Sequence, residues 1–215
     1  MNIDYPITIM LIAANVIFSL IGFSNRAIMD KTILWPYYIK RKNEWYRMIT
    51  SGFLHADFVH LFFNMFTLYF FGRNLELLFN ELGLGGNIAY LGLYFASLVV
   101  SDLPTYARQK DNYYYKALGA SGAVSAVVFA AIVFDPWSPI YLFGAIQISA
   151  LVYAVLFIWY CIYMAKKGED NVNHDAHLWG AIFGALCTIG IIAALRPELF
   201  DFIIEQLKQP SLLGH

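Results

Sequence analysis

Polar residues along this chain gather in short clusters, and between them run long stretches without a single Asp, Glu, Lys or Arg. Six such windows stand out: Tyr5 to Asn25, Phe58 to Gly72, Leu82 to Ser101, Ala117 to Phe134, Pro136 to Ala165 and Ala176 to Leu195, of 21, 15, 20, 18, 30 and 20 residues. A helix rises ~1.5 Å per residue, so roughly 20 apolar residues cover a hydrocarbon core ~30 Å thick. The pattern predicts an all-α polytopic membrane protein, a single domain over 1–215 with spans at 5–25, 58–72, 82–101, 117–134, 139–165 and 176–195. The second window gives only ~22 Å of helix, so it requires local bilayer thinning, snorkelling flanks or burial among other helices. The fifth is longer than a crossing requires and has room to tilt.

Two polar stretches carry structure of their own. The linker 26–57 mixes Trp35, Tyr37, Tyr38, Trp45 and Tyr46 with Lys40, Arg41 and Lys42, a composition suited to headgroup depth, and is expected to be an ordered interfacial loop. Over 198–208, Leu199, Phe202, Ile203, Gln206 and Leu207 repeat at helical spacing, which predicts a short amphipathic helix lying in the interface.

Composition fits the same picture. Charged residues make up 13% of the chain, about half the share of a soluble domain, which excludes that class. The net charge of −1 says nothing about nucleic acid, and with no basic stripe interleaved with aromatics that class is set aside. Cys161 and Cys187 sit in apolar windows and read as small buried hydrophobes, with neither a disulfide framework nor a metal clip implied. Met1 to Ile9 carries no Lys or Arg ahead of the apolar run, so the first window is expected to be a retained span.

Polar side chains inside the windows are costly in lipid, and they mark candidate chemistry. The second window opens HADFVHLFFNMF, with His55 just ahead of it and His60 and Asn64 four apart on one helical face. The fourth carries Ser121 between Gly119 and Gly122. The sixth opens HDAHLWGAIFG, with His177 at its entry and Gly180 and Gly184 spaced for close helix approach. If all six windows cross, windows two, four and six run in one direction, and the three clusters share one face and depth.

A serine alone in such a helix bonds its own i−4 carbonyl, and a lone histidine is a satisfied structural group. Together they supply a nucleophile, Ser121, and a base, His177, while His60, Asn64 and the Ser121 N–H can converge on an oxyanion. No carboxylate falls in these windows, so a Ser–His dyad is expected. Ser125 shares the helical face but lies ~6 Å deeper and lacks flanking glycines.

These residues resemble the motifs of the rhomboid intramembrane serine proteases: Gly-x-Ser-Gly at Gly119 to Gly122, His55 with His60 and Asn64, and His-x-x-Gly-x-x-x-Gly at His177, Gly180 and Gly184. The resemblance implies a six-helix rhomboid-like bundle with a water-filled cavity that cleaves transmembrane protein substrates near the ends of their helices. It implies catalysis by Ser121 and His177, oxyanion support from His60 and Asn64, a structural role for His55, and no cofactor. The chain departs from the family at Tyr46, which precedes Arg47 where relatives carry Trp, and at Ser125, where many carry an aromatic packed on the catalytic histidine.

Eleven Lys and Arg fall on the face with the clusters and three, Arg73, Arg196 and Lys208, on the other, which by the positive-inside tendency places the clusters in the cytoplasm. The resemblance implies the reverse, a bacterial inner membrane with the active face outside. That orientation is the expectation adopted, because much of the excess lies in the folded first loop. Two other readings stay open: a catalytically inactive, rhomboid-like binding factor for membrane proteins, and a metal-dependent hydrolase using His55, His60, His174 and His177, although no His-Glu-x-x-His pattern accompanies them.

Overall fold

The computed structural model describes residues 4–142, 145–168, 170 and 172–211. Among the described residues four helices are long and apolar enough to cross a membrane: α1 (Pro6–Ser24), α7 (Gly86–Gln109), α9 (Ala150–Lys167) and α10 (His174–Leu195). The protein is an all-α, multi-pass integral membrane protein. The first helix turns its polar side inward, the reverse of a helix in a soluble bundle. On α1 the buried positions include Thr8, Asn15 and Ser19, whereas Met10, Ile17, Phe18 and Leu20 point outward. Apolar groups exposed in this way are stable only against lipid.

The polar face of α1 bonds to its neighbours. Asn15 Nδ2 donates to the Tyr94 hydroxyl of α7 at 3.1 Å. Ser19 donates to the Phe53 carbonyl at 3.0 Å. At the start of α1, Glu76 accepts from the Ile7 and Thr8 backbone N–H groups at 2.9 and 2.7 Å and from the Thr8 hydroxyl at 2.7 Å. A carboxylate at a helix N-terminus meets both the free donors and the positive end of the dipole.

That contact explains why the second window looked too short. α5 (Phe58–Thr67) runs through a π-helical turn, Leu68–Gly72, directly into α6 (Arg73–Glu81). The continuous rod from Phe58 to Glu81 covers ~36 Å, enough for a crossing without thinning. The charge-free criterion cut it at Arg73, but Glu76 enters the bundle at 0% exposure because α1 supplies its donors. Glu76→Ala leaves those donors unpaired and is expected to cost ~2–4 kcal/mol. Denaturant titration in mixed micelles measures this, and an unchanged midpoint would count against the cap.

The loop after α1 folds into α2 (Arg26–Thr32), α3 (Pro36–Lys42), α4 (Arg47–Thr50) and a 3-10 turn at Ser51–Phe53. Arg47, buried beneath it, donates to the Asp30 and Ile33 carbonyls at 2.9 Å each and to the Glu44 carboxylate at 2.6 Å. Leu34, Ile39 and Met48 pack with Val99, Tyr106 and Ala117, which seats the loop on α7.

The third, fourth and fifth windows also depart from their charge-free limits. The third is displaced toward the C-terminus: α7 starts at Gly86, after a turn in which Gly83 and Gly85 adopt positive φ, and continues through Asp102 and Pro104 to Gln109. In the fourth, residues 117–120 are not helical. Ala117 pairs with Leu34 as an isolated bridge, the Gly119 N–H donates to the Ser51 carbonyl at 3.1 Å, and α8 (Ser121–Phe134) begins at the serine itself. At 14 residues α8 is short, but it is enclosed by neighbouring helices, so lipid thickness does not set its length. The fifth window is not one long helix. β1 (Pro139–Leu142) and β2 (Ile146–Ser149) form an antiparallel hairpin before α9 starts at Ala150. Pro136 and Pro139 cannot sit in a helix interior, whereas alternating Ile146, Gln147, Ile148 and Ser149 suit a strand.

α10 packs on both α8 and α7. It is capped by Asn173, whose Oδ1 accepts from the Ala176 N–H at 3.2 Å. The last helix among the described residues is α11 (Leu199–Leu207), which buries Ile203 and leaves Phe202, Ile204 and Leu207 exposed. The Trp137 indole N–H ties the hairpin side to α11 through the Gln206 carbonyl at 2.9 Å.

Candidate active site

The approach of α8 to α10 builds the site. A Cβ placed on Gly180 would overlap the Gly122 carbonyl, and one on Gly184 would overlap the Ala126 carbonyl. Two small residues per helix, four apart, therefore hold the backbones in direct contact. Gly122 is itself pressed against the Ser101 side chain of α7. The two helices start at the same face, and Ser121 and His177 emerge next to each other from their first turns.

His177 Nε2 lies 2.7 Å from Ser121 Oγ. Among the described residues no carboxylate bonds His177. The ring is held instead by aromatic contacts. Phe157 of α9 stacks on it with centroids 6.3 Å apart at 26°, and His174 meets it edge-on at 5.8 Å. Phe157 thus covers the ring face for which Ser125 offers no aromatic group. Nothing local in the sequence pointed to it, because it arrives from another helix. Ser125 is buried one turn deeper and lines the same cavity, but the imidazole bonds Ser121.

Because the helix begins at Ser121, the first backbone N–H groups of α8 have no intrahelical acceptor; the Val124 N–H is the first to bond back, to Ala120 at 2.9 Å. Gly119, with φ of 131°, turns the chain into this position, and a Cβ there would stand 2.8 Å from His60 Cε1 and 3.0 Å from Nε2. Only glycine allows both the dihedral and the imidazole. His60 is in turn placed by Asp57, which caps α5 by accepting the His60 N–H at 2.7 Å. Asn64, one turn on, donates to the His60 carbonyl at 3.0 Å and borders the cavity with Ser121 and His177.

His55 lies behind this group, wholly buried, with Nδ1 2.8 Å from the Ser19 hydroxyl and its ring edge-on to His60 at 5.0 Å. Burial, with a smaller contribution from His60, pushes its pKa down to about 3, so it is neutral at any working pH. It touches α1 rather than the cavity. The four histidines once grouped as metal ligands separate into two pairs, His55 with His60 and His174 with His177.

A cavity of about 280 Å³ lies between α5, α8 and α9 and is bounded by Phe63, Asn64, Thr67, Tyr153, Phe157 and the Ser–His pair. On the other side of Ser121 a void of about 20 Å³, room for roughly one water, is bordered by Ser51, Ser101, Asp102 and Asn173. Thr105 donates to Asn173 at 2.9 Å there. The polar residues of α7 escaped the sequence reading, although hydroxyls four apart at Ser101 and Thr105 are a legible inward face.

Residues 42–194 match the Rhomboid domain. This chain belongs to the rhomboid family. It is 31% identical over 164 residues to the RHOMBOID-like protein 12, mitochondrial, of Arabidopsis thaliana, covering 72% of this chain and 48% of that protein. It is 31% identical over 147 residues to the putative rhomboid protease YdcA of Bacillus subtilis, covering 66% and 65%. To the rhomboid protease AarA of Providencia stuartii it is 25% identical over 172 residues, covering 73% and 59%. The chain thus spans between about half and two thirds of the length of these relatives. Rhomboids of both bacterial and organellar origin resemble it.

Proposed function

We propose that this rhomboid is an intramembrane serine endopeptidase that cleaves transmembrane helices of other membrane proteins with a Ser121–His177 dyad. The observation that carries the proposal is the 2.7 Å contact between Nε2 and Oγ at a helix start with free N–H groups, inside a cavity bordered by lipid-facing helices. His177 takes the Ser121 proton as Oγ attacks the scissile carbonyl carbon. The negative charge gathers on the carbonyl oxygen, where the first N–H groups of α8, the His60 imidazole and the Asn64 amide supply donors. His177 then protonates the leaving amine, and the acyl-enzyme remains. A water deprotonated by His177 attacks it, releasing a carboxylate product and restoring Ser121.

Substrate is proposed to enter sideways between α5 and α9, which share the cavity wall. The site is assigned to the extracytoplasmic face of a bacterial inner membrane, an orientation tested by reporter fusions to the C-terminus. The alternative, an inactive binding factor, is disfavoured by a serine and a histidine that keep hydrogen-bonding distance. Reconstituted protein should cleave a transmembrane peptide and carry a serine-directed phosphonate on Ser121 in mass spectra. Saturated substrate without product over long incubation would favour the binding factor.

Phe157 acts as the positioning residue for His177. Phe157→Ala is expected to slow cleavage ~10–100-fold through a misplaced base, while Phe157→Tyr retains the stack and most of the rate. Equal rates for the two variants would remove Phe157 from the site.

A further inference from the structure

Beside His177 lie two donors that the proposed reaction does not use, Cys161 and His174. Cys161 of α9 and His174 and His177 of α10 each offer a ligand atom within 4.8 Å of the others. His174 is oriented for ligation. Its Nε2 faces the Asp170 carboxylate at 3.0 and 3.1 Å, while its Nδ1 is buried without any hydrogen-bond partner. A carboxylate on one imidazole nitrogen that leaves the other bare is the arrangement that fixes metal-binding histidines. A buried, unpaired Nδ1 has an unmet need that a metal ion satisfies. Since His177 Nε2 bonds Ser121, its free nitrogen is also Nδ1.

We infer that Cys161, His174 and His177 form an inhibitory site for a borderline-soft divalent cation of the zinc class. One thiol and two imidazoles suit such an ion better than calcium or magnesium, which require oxygen ligands. Tetrahedral zinc at ~2.0–2.3 Å from each atom sets the ligands roughly 3.3–3.7 Å apart, so the group closes by about 1 Å through side-chain torsions, and a water fills the fourth position. The Cys161 thiol releases its proton to solvent as the metal–sulfur bond forms.

The inhibitory consequence rests on the proposed role of His177 as base. A metal on Nδ1 requires the ring proton to sit on Nε2. That nitrogen then donates to Ser121 and cannot accept its proton. The protein becomes inactive without a change of fold, and removal of the metal restores the competent tautomer. The cavity beside His177 gives the ion its route.

The test uses full-length protein without a histidine tag, in micelles, with zinc and cobalt as probes. Wild type should bind one cobalt with a thiolate-to-metal charge-transfer band. Zinc should suppress both phosphonate labelling and cleavage, and chelator should restore them. Cys161→Ala and Cys161→Val, two fillings of the same buried space, should keep basal cleavage, lose the band and need at least ~10-fold more zinc for half inhibition. No band at saturating cobalt, or equal zinc sensitivity in wild type and both variants, overturns the site. A band without zinc suppression of labelling overturns the inhibitory consequence. A band in a protein that never cleaves substrate upholds the site and instead removes the protease reading.

Discussion

Ser121→Ala is expected to lower cleavage of a transmembrane substrate by at least ~10⁴-fold and to abolish phosphonate labelling, with the unfolding midpoint nearly unchanged. The size follows from what the hydroxyl does: without it there is no covalent intermediate, and the donors around the oxyanion have no attack to stabilise. The fold tolerates the change because Ser121 is the first residue of α8, where its Oγ bonds His177 and caps nothing. His177→Ala should match it closely, since nucleophile and base act as one unit, and the double variant should be no worse than either. Ser125→Ala separates the two serines. It removes a buried hydroxyl one turn deeper in the same cavity, and cleavage should fall less than ~10-fold. A Ser121→Ala protein that still cleaves while Ser125→Ala does not would transfer the nucleophile to the deeper serine.

Why so much of this was legible in the sequence has a physical basis. Lipid excludes charge, so uncharged windows outline crossing helices, and the few polar groups inside them are there for bonding or chemistry. Ser121, His60, Asn64 and His177 stood out for that reason, and the spacing of Gly180 and Gly184 already announced a close helix contact. The misreadings arise where the same rule has an exception. Glu76 lies inside the rod from Phe58 to Glu81 because three donors on α1 await it, and donors 68 and 69 residues away leave no local trace. The strand pair β1 and β2 is as uncharged as a helix, so a charge criterion merges it with α9, although Pro136 and Pro139 marked the break. The start of α8 at Ser121 depends on Leu34 and Ser51 holding 117 and 119 outside the helix. The ring over His177 comes from Phe157, one helix away, and the bare nitrogen of His174 becomes visible only once Asp170 occupies the other.

Gly184→Val should be the most damaging single substitution in the helix pair. A Cβ at 184 overlaps the Ala126 carbonyl, and backbone cannot rotate aside as a side chain can. α8 is short and surrounded, so the strain is relieved only by parting α8 from α10. Overpacking costs ~1–3 kcal/mol where side chains can adjust, and against rigid backbone ~3 kcal/mol or more is expected. Parting the helices by even ~1 Å also lengthens the Ser121–His177 contact, which lies within two turns of residue 184, and that misplacement alone costs ~10²-fold in rate. Stability and activity should therefore fall together. Gly190→Ala on the same helix is the matched control. A Cβ there meets nothing within 4 Å, so helix propensity alone acts and the variant should gain ~0.5–1 kcal/mol with full activity. Unfolding midpoints and cleavage rates for the two variants decide the matter. If Gly184→Val behaved like Gly190→Ala, the two backbones would not be in contact at that level, and the small residues would not be what brings the imidazole to the serine.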